Sequence, residues 1–327
     1  MEQRLVLEAN PSPDLTIVLV TWNGLEVTAA ALDSIRSHAF GITYEVIVVD
    51  NGSTKDATVT ELPARFPWVT FIANGTNLGF TRANNQGIRR SRGRYVLLLN
   101  SDTVQTQNAL GAAVRYMDAH PDVGALGILH KNNDAGRSFQ PSFFPFPNAT
   151  GATRALLGLG RKTSPAPIVV EQDVDWVCGS FLMIRRECLD QVGLLDERYF
   201  AYQEDVDWCL QAQRAGWKVR FWPGVSMIHL GSVAAPHLRD KTGLMIRSQL
   251  TYLSKNHGRP AAVAFYLAMA ARLGVGLCRH AVGSALLGRR PLGIRQRWDR
   301  LVSLLLVRAA SATSTQSGLN RPNAPRP

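Results

Sequence analysis

An α/β domain on an open, mostly parallel, twisted sheet flanked by helices, with a basic helical appendage behind it, is the architecture this sequence predicts. Three observations carry that reading. Short apolar, β-branched runs alternate with segments of helical periodicity between residues 15 and 99. Polar clusters at 21–23, 50–56 and 100–102 stand at the carboxyl ends of those runs, where open α/β sheets bind ligands. Charge is split along the chain: residues 1–238 hold 21 Lys/Arg against 23 Asp/Glu, and residues 239–327 hold 15 against 2.

The elements follow in order. Residues 15–22 (LTIVLVTW) read as a buried parallel strand. Val27, Ala31, Leu32 and Ile35 then recur at helical spacing over 25–38. Residues 45–50 (EVIVVD) form a second buried strand, Phe71-Ile72 a short third, 81–91 a helix and 95–99 (YVLLL) a fourth strand. The stretch 137–173, rich in Pro, Gly, Ser and Phe, reads as a long surface excursion that could act as a lid or face an acceptor. Residues 174–185 predict another strand with a Gly bend, and 205–215 a helix opened by acids and closed by Gly216. The tail from Ser311 is polar, Pro-rich and expected to be disordered.

Composition narrows the class. With 46% hydrophobic and 19% charged residues in 327, the chain can bury a large core. None of the four cysteines sits in a C-x-x-C pair, so they are expected as reduced thiols in a cytosolic compartment. The N-terminal residues lack the apolar run of a signal peptide.

Several residues invite chemistry. Thr21, Trp22 and Asn23 follow the first strand; Trp22 either lies against a nucleobase or fills core space. Asp50, with Asn51 and Ser53 in the following turn, either accepts from a base or ribose or ties its own turn. In the run 77–87, Asn77, Gly79 and Arg82 lead into a helix rich in amides, where backbone N–H groups favour an anion or simple capping suffices. Asn100, Ser101 and Asp102 end a fully apolar strand. An acid there must be paired, exposed or metal-bound, and Asp102 is the candidate ligand for Mg2+ or Mn2+. Glu204 and Asp205 open a helix among aromatics, which suits a semi-buried general base as well as it suits the helix dipole. His229 closes another apolar stretch.

Seven segments in order, VLVTWNG, VVDNGSTKD, NLGFTRANNQG, GRYVLLLNSD, WVCGSFLMIRR, LDERYFAYQEDVDWCLQAQRAGW and IHLGS, cover about residues 15–232. Together they resemble glycosyltransferase family 2, in its rhamnosyltransferase-like branch. The resemblance implies a GT-A fold and inverting single displacement from a nucleotide-sugar donor, L-rhamnose from dTDP-L-rhamnose before a UDP-sugar, to a lipid-linked or polysaccharide acceptor. It assigns Asp50 to the base and ribose, and Asn100, Ser101 and Asp102 to the family's D-x-D, here with Asn first. It makes Asp102 and His229 metal ligands, Asp205 the catalytic base, and Trp176 and Glu204 acceptor-facing, with Gly179 in a bend that lets substrate approach. It implies a catalytic domain at 1–238 (nucleotide-sugar half about 15–130, acceptor half about 131–238), while charge and composition set off a basic amphipathic helical, membrane-associating region at 239–310 and a disordered tail at 311–327.

Two rival readings remain. One is a non-catalytic protein of the same fold that binds a nucleotide-sugar or a membrane surface, although Asp102 and Asp205 are both retained. The other, a nucleotidyltransferase, lacks its Gly-rich basic loop after the first strand. In the basic region, 261–271 is apolar, Arg272 and Arg279 fall seven apart on one helical face, and Arg289, Arg290, Arg295, Arg297 and Arg300 follow, with an apolar patch at 301–307. Arg272 interrupts the run too early for a spanning helix. The pattern suits an interfacial helix on anionic lipid, or a helical pair packed on the domain. A peripheral position at the inner face of the plasma membrane is the expectation. Nucleic-acid binding is not expected, because stacking aromatics other than Trp298 are missing. A homo-oligomer stays open.

Overall fold

A computed structural model describes residues 12–148, 151, 169–231 and 241–287. The chain divides into two compact units, one of residues 1–146 and 164–238, the other of 147–163 and 239–327. The tail 311–327, the five arginines from 289 to 300, the 301–307 patch and the middle of the 137–173 excursion lie outside the described residues, as does the Arg279 side chain.

The first unit begins with β1 (Leu15–Thr21), α1 (Leu25–His38), β2 (Tyr44–Asp50), α2 (Thr58–Arg65), β3 (Thr70–Ala73), α3 (Phe80–Arg90) and β4 (Tyr95–Asn100). These strands pair in parallel in the order β3-β2-β1-β4. Alternation along each strand sends side chains to opposite faces. Leu15, Ile17, Leu19, Leu97 and Leu99 pack beneath Leu32 and Ile35 of α1. Val18, Val96 and Leu98 meet Ile88 of α3 on the other side. Both faces are covered, which is why these strands are apolar throughout.

The acceptor half is mixed. After β5 (Thr103–Gln105), α4 (Ala109–Ala119) and β6 (Val123–Lys131) come the short strands β7 (Phe139–Gln140), β8 (Phe143–Phe144), β9 (Gln172–Asp173) and β10 (Trp176–Val177). Then follow β11 (Phe181–Arg185), α5 (Arg186–Val192), α6 (Glu204–Arg214) and β12 (Lys218–His229). β11 enters antiparallel between β4 and β6, and β12 runs parallel to β6. The strand expected over 174–185 is thus two strands: β10 pairs with β8, β11 joins the main sheet, and the bend at 178–180 separates them. In the second unit, α7 (Lys241–His257) and α8 (Arg259–Leu287) pack against each other.

Candidate active site

The carboxyl ends of β1, β2 and β4 meet at one edge because those strands are parallel and in register: Thr21 lies beside Asp50, and Val20 beside Asn100. Thr21 is buried, its hydroxyl 2.8 Å from that of Thr28. Trp22 is half-buried. Asn23, at φ 52°, accepts from the Thr54 and Lys55 amides, each at 2.8 Å, and its own amide donates to Ser53 Oγ at 2.7 Å. Asp50 is fully buried and accepts from the Gly52 and Ser53 amides at 3.1 and 3.0 Å and from the Ser53 hydroxyl. Of the two readings open for Asp50, the turn carboxylate is the one these bonds describe.

The amide-rich segment has a structural task that the sequence did not reveal. Asn51 Nδ2 donates to Asn77 Oδ1 at 3.0 Å, which also accepts from the Gly79 amide at 2.9 Å. Gly79 sits at φ +92°, and a Cβ there would fall 2.7 Å from the Phe200 carbonyl oxygen. That oxygen accepts from the Phe80 and Thr81 amides at 2.7 and 3.4 Å. Asn85 clasps Leu195 through both backbone groups, at 2.8 and 3.1 Å, while Arg82 pairs with Glu197 at 3.4 Å. The expectation of an open anion site at the start of α3 is therefore corrected: its first amides hold the loop that leads to Glu204 and Asp205.

A second cluster gathers where β4, β6, β7 and β12 converge. Asp102 is 2% exposed, and its Oδ1 lies 3.3 Å from His229 Nε2. Asn100 Nδ2 approaches the same nitrogen at 3.5 Å. Asp102 Oδ1, Asn100 Oδ1 and Ser101 Oγ are buried without a hydrogen-bond partner, a costly condition unless a ligand or ion completes it. His130 stands edge-on to His229, with ring centroids 5.8 Å apart, and burial, then the charge of His229, drives it down to about 3, so it is neutral. Among the described residues no three His, Cys, Asp or Glu side chains converge on one point. One buried carboxylate and one imidazole still suit Mg2+ or Mn2+, which needs few protein ligands when substrate phosphates supply the rest.

A third group lies at the start of α6. Tyr202 and Gln203 are consecutive non-glycine residues in the left-handed region, at φ 68° and 71°, a conformation that persists only where its surroundings impose it. The kink delivers Glu204 and Asp205 side by side. Glu204 is buried, with Oε2 unpartnered. Burial, and then the charge of Asp205, push its carboxyl well above the usual range. Asp205 is partly exposed and also raised by burial, but the Gly179 and Val206 amides, at 2.8 and 2.9 Å, pull it back toward the ionised form. Both carboxyls are thus raised, Glu204 with an added push from its neighbour's charge and Asp205 with two N–H donors that oppose the shift.

The bend at 178–180 links these clusters. Gly179 N–H donates to Asp205, the Ser180 carbonyl accepts from the Asn100 amide at 3.2 Å, and Ser180 Oγ lies 3.4 Å from His130 Nδ1. Just before it, Trp176 stacks on half-exposed Phe144, with centroids 4.9 Å apart, and donates to the Pro145 carbonyl at 3.1 Å. The site thus offers a carboxylate joined through this bend to a cation-fitting cluster, the pieces needed to deprotonate a hydroxyl and to neutralise a departing phosphate. Gln140, which touches His229, was not singled out in the sequence; sheet pairing across 89 residues brings it there, and no local motif marks it.

Residues 16–193 match the family described as Glycosyl transferase family 2. The chain is 31% identical over 232 residues to the N-acetylglucosaminyl-diphospho-decaprenol L-rhamnosyltransferase of Mycobacterium tuberculosis, covering 65% of this chain and 71% of that protein. It is 27% identical over 197 residues to rhamnosyltransferase WbbL of Escherichia coli, covering 57% and 72% respectively. Among solved structures, the mannosyltransferase PcManGT of Pyrobaculum calidifontis, in complex with GDP-Man and Mn2+, is similar at TM-score 0.52 and 19% identity, over 94% of this chain and 89% of that one. That last likeness is one of fold, a GT-A α/β sheet.

Proposed function

The chain belongs to glycosyl transferase family 2, and on that premise we propose that it moves L-rhamnose from dTDP-L-rhamnose to a hydroxyl of a lipid-linked glycan in cell-wall or surface polysaccharide assembly. The observation that carries the chemistry is Asp205: partly exposed, held by two N–H donors beside a buried Glu204, and joined through the 178–180 bend to the Asp102–His229 cluster. The donor identity rests on the rhamnosyltransferases that this chain resembles.

The acceptor oxygen forms a bond to the anomeric carbon while that carbon's bond to the diphosphate oxygen breaks. Asp205 accepts the proton of the acceptor hydroxyl, the general-base step. Glu204, raised by burial and then by the charge of Asp205, stands next to that base at the start of α6. Asp102 and His229 would hold Mg2+ or Mn2+, which when bound neutralises charge on the departing nucleoside diphosphate. We assign the nucleoside to the side of the 50–53 turn, Trp22 and Asn23, and an acceptor sugar to the Trp176–Phe144 stack.

The test is donor binding and slow hydrolysis across dTDP- and UDP-sugars with Mg2+, Mn2+ or EDTA. Metal-dependent turnover of dTDP-L-rhamnose supports the proposal. Preference for a UDP-sugar overturns the rhamnose assignment and keeps the mechanism. Asp205→Asn is expected to lower transfer by at least about 100-fold, the lower end of what a positioned base contributes, with donor affinity near that of the wild type; full activity would remove Asp205 from this role.

A further inference from the structure

We infer that Gln140 is a positioning residue that fixes the tautomer of His229, leaving Nε2 unprotonated and facing Asp102. The inference rests on the reading of Asp102 and His229 as the cation cluster. Its basis is a relay of amides whose orientation is set by backbone carbonyls, which can only accept. Asn132 Nδ2 donates to the Phe139 carbonyl at 3.4 Å and to Ser138 Oγ at 2.9 Å, which turns Asn132 Oδ1 toward Gln140. Gln140 Nε2 donates to that oxygen at 3.1 Å and approaches the His229 carbonyl at 3.5 Å. The Gln140 oxygen therefore faces the imidazole, 2.7 Å from Nδ1. A carboxamide oxygen has no proton to give, so Nδ1 carries the hydrogen. In the neutral ring the lone pair is then on Nε2, 3.3 Å from Asp102 Oδ1.

That sets two acceptors 3.3 Å apart in a buried site, relieved only by the Asn100 Nδ2 donor at 3.5 Å from Nε2, an arrangement that a cation near both would complete. An imidazole that binds a metal usually donates its other N–H to such a partner, and loss of the partner weakens the metal typically 10–100-fold. Sheet register builds the relay: Gln140 on β7 is opposite His130 on β6, and Met227 of β12 is opposite the same residue from the other side. His229, two positions further along β12, arrives beside Gln140 without any sequence proximity.

Two readouts test this. The first is the 15N spectrum of the His229 ring in the metal-free full-length protein at mildly alkaline pH. The wild type should show Nδ1–H, Gln140→Leu should shift toward Nε2–H or a mixture, and Gln140→Glu, which keeps the acceptor, should retain Nδ1–H. The second is Mn2+ affinity by electron paramagnetic resonance, where Gln140→Leu is expected to lose about 10–100-fold and Gln140→Glu to stay within a few-fold of wild type. An Nε2–H or doubly protonated ring in the wild type overturns the inference. So does a Gln140→Leu protein that melts earlier yet keeps both the tautomer and Mn2+ affinity. A wild type that shows Nδ1–H but binds no Mn2+ overturns instead the reading of the cluster as a cation site, and with it the purpose assigned to Gln140.

Discussion

At the scale of single residues, the Glu204–Asp205 pair ties stability to pH in a direction that can be derived. Both carboxyls are raised in the folded protein, chiefly by burial, and Glu204 also by its neighbour's charge. A raised acid leaves stability intact below its unfolded value; stability then falls as pH climbs from that value to the folded one, because the unfolded chain releases its proton first. Glu204→Gln keeps the neutral shape and removes the titration. It should therefore raise the Tm by a few degrees at neutral pH and above, and leave it near wild type below the ordinary carboxylate range, with part of the slope surviving through Asp205 because the two titrate together. Melting curves across pH check this; an equal Tm difference at every pH would show that Glu204 is not the source. These acids stand out in the sequence because they open a helix among aromatics, and Asp102 because a carboxylate at the end of an apolar run requires a compensating partner. Asp50 illustrates the limit of that logic. In the structure its carboxylate accepts from its own turn, Gly52 and Ser53, and the sequence alone does not separate that task from a nucleoside contact at the same place.

At the scale of elements, α3 and the loop ahead of α6 behave as one piece. Two amides of α3 hold the Phe200 carbonyl, Asn85 clasps Leu195, and the loop then runs through two left-handed residues to Glu204. Gly79 is the fulcrum: its φ of +92° and its distance to Phe200 both exclude a side chain. Gly79→Ala should cost on the order of 1–3 kcal/mol of stability, and should reduce transfer more than donor affinity, since the displaced loop carries the acids. Denaturant unfolding and a split of kcat from KM check it; a destabilised variant with unchanged kcat would uncouple loop and acids. The same scale explains what could be read of the fold. β1, β2 and β4 were visible because burial on both faces makes them continuous apolar runs. β6 was hidden because Gly124 and Gly127 dilute its strand signal, and Gly127 is dictated by packing alone: a Cβ would meet Val177 at 2.7 Å. β12 was only partly visible because Pro223 and Gly224 interrupt it where its register shifts between Trp222 and Ser226.

At the scale of the whole molecule, the charge asymmetry needs a physical consequence. No helix among the described residues is long and apolar enough to cross a membrane. α8 nonetheless exposes Val263, Leu267 and Val275 at 55%, 60% and 59%, spaced in fours and eights along one stripe, while Phe265 and Met269 turn inward. A helix that keeps such a stripe in water, in a region with 15 basic and 2 acidic residues, has the composition of an interfacial element: apolar side chains enter the headgroup boundary, and each nearby Lys or Arg adds about 1 kcal/mol on an anionic surface. The full-length chain is expected to co-float with vesicles containing phosphatidylglycerol, to float far less with neutral phosphatidylcholine, and to lose binding as salt is raised, because the electrostatic part is screened over about 10 Å at 0.1 M. Val263→Glu combined with Leu267→Glu should weaken flotation while leaving donor binding at the catalytic unit unchanged. Flotation that ignores lipid charge, salt and this double substitution would assign the exposed stripe to contacts other than lipid and leave the basic excess without a membrane role.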